Sequence, residues 1–170
     1  MKKFGSMTAA IAATALLAAC GGGADEAEPA PADTAAADPA ATTAAPAGGE
    51  APAPDNTETT DGTMLANFTG DAAAGEQVFN QCKTCHVTEE GVNRTGPSLH
   101  AIVGREAGTV EGFNYTPANA NSGITWTKEK LFQYLQNPQR VVPGTKMAFA
   151  GLPEAQDRAN VIAYLETQGN

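Results

Sequence analysis

The chain has 170 residues, room for one or two domains, and carries 19 acidic against 10 basic side chains for a formal net charge of −9. Binding of nucleic acid needs clustered Lys and Arg, which this acidic chain lacks, so a nucleic-acid partner is excluded. Nine of its ten aromatic residues lie after residue 67, so the material for a packed core falls in residues 68–170 and a single domain is expected there.

The N-terminus opens with Met1-Lys2-Lys3 and continues into an Ala-rich apolar run from Ala9 to Cys20. That run is shorter than the ~18 residues of a membrane-spanning helix, and its basic start and small-residue end are the layout of a secretory signal peptide over residues 1–19. The boundary Leu17-Ala18-Ala19-Cys20 resembles the lipobox of bacterial lipoproteins. The resemblance implies that Cys20 is acylated and ties the mature chain to a lipid bilayer, where two or more acyl chains hold stably and one holds only marginally. A plain cleavage site that contains a Cys is the alternative.

From Gly21 to Asn67, Ala, Pro, Gly, Thr and acidic residues fill 43 of 47 positions, without one base or aromatic ring. Such a segment buries too little apolar surface to offset the entropy of ordering, so residues 20–67 are expected to form a lipidated, disordered tether. As a flexible coil it would span about 35–40 Å.

Two of the three cysteines lie in Cys82-Lys83-Thr84-Cys85-His86. This Cys-x-x-Cys-His spacing is that of c-type haem attachment: two thiols on one turn add to the haem vinyl groups, and the next residue offers an imidazole to the iron. A zinc site needs four ligands, and the domain has only these two Cys plus His86 and His100. A thioredoxin-like redox pair would sit between a strand and a helix, a pattern not found here. For a second axial ligand the domain offers one methionine, Met147, in the stiff loop Val142-Pro143-Gly144-Thr145-Lys146-Met147. His100 is the other candidate, but it lies only 14 positions from His86. A soft thioether favours the ferrous state and raises the potential.

Helices are expected in three places. Asp71 caps one that runs through Gln81; Thr127 caps another that runs to Asn137 and ends at Pro138. A third starts at Pro153 and carries Ala155, Ala159, Ile162 and Leu165 on one stripe before Gly169. Residues 87–126 read as loop with one helical turn over 98–103. Three short helices make a thin core, and a bound haem would supply the missing apolar volume.

Residues 70–168 resemble mitochondrial-type class I cytochrome c in one continuous order of motifs. These are Gly75 and Phe79, the Cys82–His86 motif, Thr95-Gly96-Pro97-Ser98-Leu99, Gly104-Arg105, Gly112-Phe113-Asn114-Tyr115-Thr116, Gly123-Ile124-Thr125-Trp126, Tyr134-Leu135, Asn137-Pro138, Pro143–Met147 with Phe149, and Ile162-Ala163-Tyr164-Leu165. The resemblance implies an all-α fold of short helices and long loops around one covalent haem c, attached through Cys82 and Cys85. It implies His86 and Met147 as axial ligands, with the Pro97 carbonyl orienting His86. Arg105, Tyr115 and Trp126 match residues around a haem propionate, Asn119 an internal polar network, Tyr134 and Thr145 the surroundings of the Met147 sulfur, and Phe149 a shield over the crevice. The family's lysine-rich haem edge is replaced here by Gln77, Gln81, Gln139, Pro153 and Glu154, leaving Lys83, Arg140 and Lys146.

The implied function is one-electron transport by a monomeric, membrane-anchored monohaem cytochrome c on the periplasmic side of a bacterial membrane, the inner membrane favoured. Its expected partners are a quinol-oxidising cytochrome complex and a terminal oxidase or other acceptor. The alternative is a haem peroxidase-like protein or gas-binding sensor in which Met147 leaves the iron.

Overall fold

The structure, a computed structural model, describes residues 50–169. The expected signal peptide, Cys20 and the tether as far as residue 49 lie outside these residues. Five helices follow a single 3-10 turn at Leu65–Asn67: α1 (Ala72–Phe79), α2 (Pro117–Ala120), α3 (Lys128–Gln136), α4 (Pro138–Val141) and α5 (Ala155–Glu166). Among the described residues there is no strand, only an isolated antiparallel bridge between Glu106 and Thr125. No helix of these residues is long and apolar enough to cross a membrane.

Helices α1 and α3 begin where a side chain satisfies a free N–H of the first turn, whereas α5, expected from Pro153, starts at Ala155 with no side-chain cap from Glu154. Asp71 accepts from Ala74 N at 2.8 Å, and Thr127 accepts from Lys130 N at 3.1 Å. The first helix stops at Phe79, two residues short of the expectation, and single turns carry the chain on to His86. Pro138 does end α3, but it also opens α4: its fixed φ suits a first helical position, and Asn137 caps the new turn by accepting from Arg140 N. Thr116 and Pro117 start α2 by the same device inside a stretch expected to be loop. Residues 98–103 form turns rather than a helix.

The first and last helices cross at Gly75. A Cβ there would lie 2.0 Å from the Asn160 carbonyl oxygen and 2.8 Å from Tyr164 Cβ, so only glycine admits the approach. Phe79 stacks at a tilt on Tyr164, 5.1 Å between ring centres, and Ile162 and Leu165 are buried beside them. From the other side α3 contributes Leu131, Phe132, Tyr134 and Leu135 to the same core.

Residues 50–67 overturn one expectation. In place of a disordered end to the tether, residues 53–63 form an ordered strap on α3, α4 and α5. Lys130, which is 1% exposed, donates from Nζ to the carbonyls of Ala53 and Asn56, and Gln133 donates from Nε2 to Asn56 Oδ1 and the Glu58 carbonyl. Thr60 N–H donates to Gln136 Oε1, and Arg140 Nη2 donates to the Glu58 carbonyl. Arg158, fully buried, holds Asp61 and Thr63. The strap is held by hydrogen bonds from polar side chains of the domain to its backbone and to its own side chains Asn56, Asp61 and Thr63, and not by apolar residues of its own.

Candidate haem site

The segment after α1 turns tightly enough to bring both thiols and the imidazole to one cavity. His86 N–H donates to the Cys82 carbonyl at 2.9 Å, closing one helical turn across the motif. His86 Nδ1 lies 2.7 Å from the Pro97 carbonyl, which as an acceptor fixes the proton on Nδ1 and leaves Nε2 with its lone pair free. Gly96 makes room for that ring: a Cβ there would sit 2.4 Å from His86 Cε1. Burial lowers the pKa of His86 against the opposing effect of the Pro97 bond, with Arg105 adding to the lowering, so the imidazole is held neutral. Burial and the neighbouring Cys85 push the Cys82 thiol up to about 11. The two cysteines are not joined to each other in a disulfide.

A second wall of the cavity comes from α3 and the loop after α4. Tyr134 donates its hydroxyl to Met147 Sδ at 3.3 Å, and Met147 N–H donates to Thr145 Oγ1 at 3.3 Å. Gln139 Nε2 reaches the carbonyls of Thr145, at 3.0 Å, and Met147, at 3.4 Å. Lys146 donates to the Asn114 carbonyl and lies over the Phe113 ring, closing the loop against the opposite rim. Sequence reasoning missed Gln139 as a support of this loop. Its only signal is its place just after Pro138, which aims it from a helical first turn at residues six to eight positions on.

The cavity measures about 270 Å³. Cys82, Cys85, His86, Pro97, Arg105, Tyr115, Asn119, Trp126, Tyr134, Thr145, Met147 and Phe149 all line it, together with apolar groups that include Ile102, Leu131, Val161 and Leu165. Its polar atoms are few. Asn119 Oδ1 is buried with no partner among the described residues. Arg105 donates to the carbonyls of Ser98 and His100, and no carboxylate of the described residues pairs with it. Burial lowers the pKa of Arg105 and raises that of Tyr115, while each of the two opposes the other's shift. An apolar cleft with two thiols, a neutral imidazole, a thioether and an uncompensated guanidinium fits a flat apolar macrocycle that bears vinyl groups, a soft metal ion and acidic side chains. Arg140, expected at the rim of this cleft, instead donates to the strap. No group of three His, Cys, Asp or Glu among the described residues could hold a separate metal ion.

Comparison with known proteins agrees with this fit. The family model for cytochrome c matches residues 72–169. The chain is 51% identical over 100 residues to cytochrome c 2.1 of Caenorhabditis elegans, covering 58% of this chain and 90% of that protein. It is 50% identical over 99 residues to cytochrome c2 of Rhodopila globiformis, covering 58% and 93%. To cytochrome c-type cyt cy of Rhodobacter capsulatus it is 56% identical over 103 residues, 60% of this chain but only 51% of that longer protein. Among solved structures, cytochrome cH from Methylobacterium extorquens superposes with a TM-score of 0.55 at 44% identity, over 58% of this chain and 99% of that one. More than half of the chain is matched, and the matched part holds every residue lining the cavity: the chain belongs to the class I cytochromes c, electron carriers rather than enzymes, with one covalently bound haem c.

Proposed function

We propose that the chain is a membrane-anchored monohaem cytochrome c that accepts one electron from a quinol-oxidising cytochrome complex and delivers it to a terminal oxidase or another acceptor. Cys82 and Cys85 hold the haem through thioether bonds, and His86 and Met147 are its axial ligands. The bound haem supplies a single one-electron couple, ferric to ferrous. Around it, Pro97 keeps the His86 ring in one tautomer and orientation, and Tyr134, Thr145 and Gln139 keep the Met147 loop in one place. Arg105, Tyr115 and Trp126 receive the propionates, and Asn119 offers its free Oδ1 to the polar network beside them. Phe149 covers the crevice edge. The observation that carries the reading is the hydrogen bond that pins each of the two ligand side chains to the wall of one apolar cavity. Ligands fixed in this way need little rearrangement when the iron changes valence, which suits transfer and not binding of small molecules.

The anchor is the acyl group on Cys20, and the monomeric domain works at the periplasmic face of the inner membrane. The Ala/Pro/acidic composition after Cys20 and the lipobox-like Leu17–Cys20 support this part of the reading. Absorption spectra with and without carbon monoxide test the core of it. Low-spin haem indifferent to carbon monoxide, converted by Met147→Ala into a form that binds it, is the expected result. A ferrous wild-type protein that binds carbon monoxide would instead support the sensor.

A further inference from the structure

The loop that carries Met147, residues 142–152, is tied at both ends to the N-terminal strap. At its start, α4 leads directly into the loop, and Arg140 of α4 donates to the Glu58 carbonyl. At its end, one buried side chain makes the tie: Arg158 donates from Nη1 to the carbonyls of Leu152, at 2.8 Å, and Pro153, at 3.0 Å. From Nη2 it donates to Asp61 Oδ2, at 2.7 Å, and Thr63 Oγ1, at 2.8 Å. Between these ties the strap runs beside α3, gripped by Lys130, Gln133 and Gln136. The side chains that hold the loop from within, Tyr134 and Gln139, come from the same two helices. The distal wall is therefore layered as strap, helices α3 and α4, and ligand loop.

We propose that residues 53–63 are a clasp that holds the Met147 loop closed, with Arg158 and Arg140 as positioning residues acting through backbone carbonyls. The inference rests on Met147 as the second axial ligand. Without the strap, Arg158 keeps its grip on Leu152 and Pro153 but loses the carboxylate that neutralises and orients it. A fully buried guanidinium without its counter-charge is costly, and opening of the loop to water relieves that cost. Local opening of this kind is a native-state event separate from global unfolding.

The test uses the full-length haem-loaded chain in two forms: residues 53–63 replaced by a Gly/Ser segment of equal length, and the double variant Asp61→Ala/Thr63→Ala, which keeps the strap backbone. Displacement of Met147 from ferric iron by added imidazole is followed by loss of the sulfur-to-iron charge-transfer absorption, and amide hydrogen exchange is followed in residues 142–152. Loss of charge-assisted bonds at Arg158 is expected to speed both by about tenfold or more. Asp71→Ala, which removes the cap of α1 and touches neither strap nor loop, is expected to leave both unchanged. Rates within about twofold of wild type in both strap variants, or equal acceleration by Asp71→Ala, overturn the clasp. A wild-type protein without the charge-transfer absorption overturns the axial-ligand reading instead, and loop exchange then still decides whether the strap closes the loop.

Discussion

Arg158 and Asp61 stand 97 positions apart in the chain and meet at 2.7 Å, the guanidinium wholly buried and the carboxylate 35% exposed. The pair joins α5 to a segment whose composition alone reads as unstructured. Burial pushes the Asp61 carboxyl up, but hydrogen bonds from Thr63 and Arg158 outweigh it and hold the group below the usual carboxylate range. A carboxyl depressed on folding contributes stability that is complete above its unfolded pKa and is lost as pH falls through the folded value. Asp61→Ala is therefore expected to cost about 1–2 kcal/mol at neutral pH, the lower part of the range for charged hydrogen bonds because the carboxylate is partly screened by solvent. The difference between variant and wild type should be constant above about pH 5 and shrink below the normal carboxylate range. Urea unfolding at a series of pH values measures it, and a deficit that persists undiminished into strong acid would contradict the assignment.

Gly96 sits against the face of His86, where an added Cβ would be 2.4 Å from Cε1 and 2.6 Å from Nδ1. The ring cannot retreat without breaking its bond to the Pro97 carbonyl. Gly96→Ala is expected to lengthen or break that bond, tilt the imidazole, and destabilise the haem-loaded protein by about 1–3 kcal/mol. A low-spin spectrum and thermal midpoint indistinguishable from wild type would show that the backbone of residues 95–97 yields instead.

The site was far more legible in the sequence than the strap. Cys82, Cys85 and His86 lie within one turn, so their spacing alone predicts that they reach one cavity, and Met147 stands out as the candidate second ligand because residues 68–170 hold no other methionine. The apolar face of α3 follows from Leu131, Tyr134 and Leu135 at helical spacing. Its opposite face, Lys130, Gln133 and Gln136, carries the same periodicity and reads as solvated, yet Lys130 and Gln133 are among the most buried side chains. What buries them is backbone from residues 53–58, and backbone carbonyls leave no mark in composition. Pro138 was legible as a stop but not as a start, because its role in α4 depends on Asn137 turning outward to cap the next turn. Arg140 was placed at the haem edge by its position in the motif order and lies on the strap for the same reason that hid Lys130.

Tyr134 donates its hydroxyl to the Met147 sulfur while its ring packs against Trp126, 4.7 Å between centres. Donation to sulfur withdraws electron density from the ligand and favours the ferrous state. Tyr134→Phe keeps the ring and removes the donor, so the midpoint potential is expected to fall by roughly 20–40 mV, the equivalent of one weak hydrogen bond for a one-electron couple. Voltammetry of both proteins at neutral pH decides it. A potential that rises would mean that the hydroxyl stabilises the ferric form.

The haem-edge surface of this domain is poorly suited to electrostatic steering. Residues 68–170 carry eight basic and ten acidic side chains. Of the three cations expected at the crevice, Arg140 lies on the strap against the Glu58 carbonyl, and only Lys83 and Lys146 remain exposed, too few to outweigh the acidic balance of the domain. Long-range attraction is what a diffusing carrier uses to find a partner, and it fades once salt shortens the Debye length to about 10 Å. A carrier held to the same membrane as its partner meets it at a millimolar-scale effective concentration without such attraction. With the Cys20 anchor and membrane acceptor proposed above, electron transfer between the two is expected to change by less than about threefold between ~20 and ~200 mM salt. Cys20→Ala protein, freed from the membrane, should compete poorly at micromolar concentration because it has neither the anchor nor the steering charge. Stopped-flow oxidation in native membranes measures both, and a steep decline with salt for the anchored form would show that the remaining charges guide docking after all.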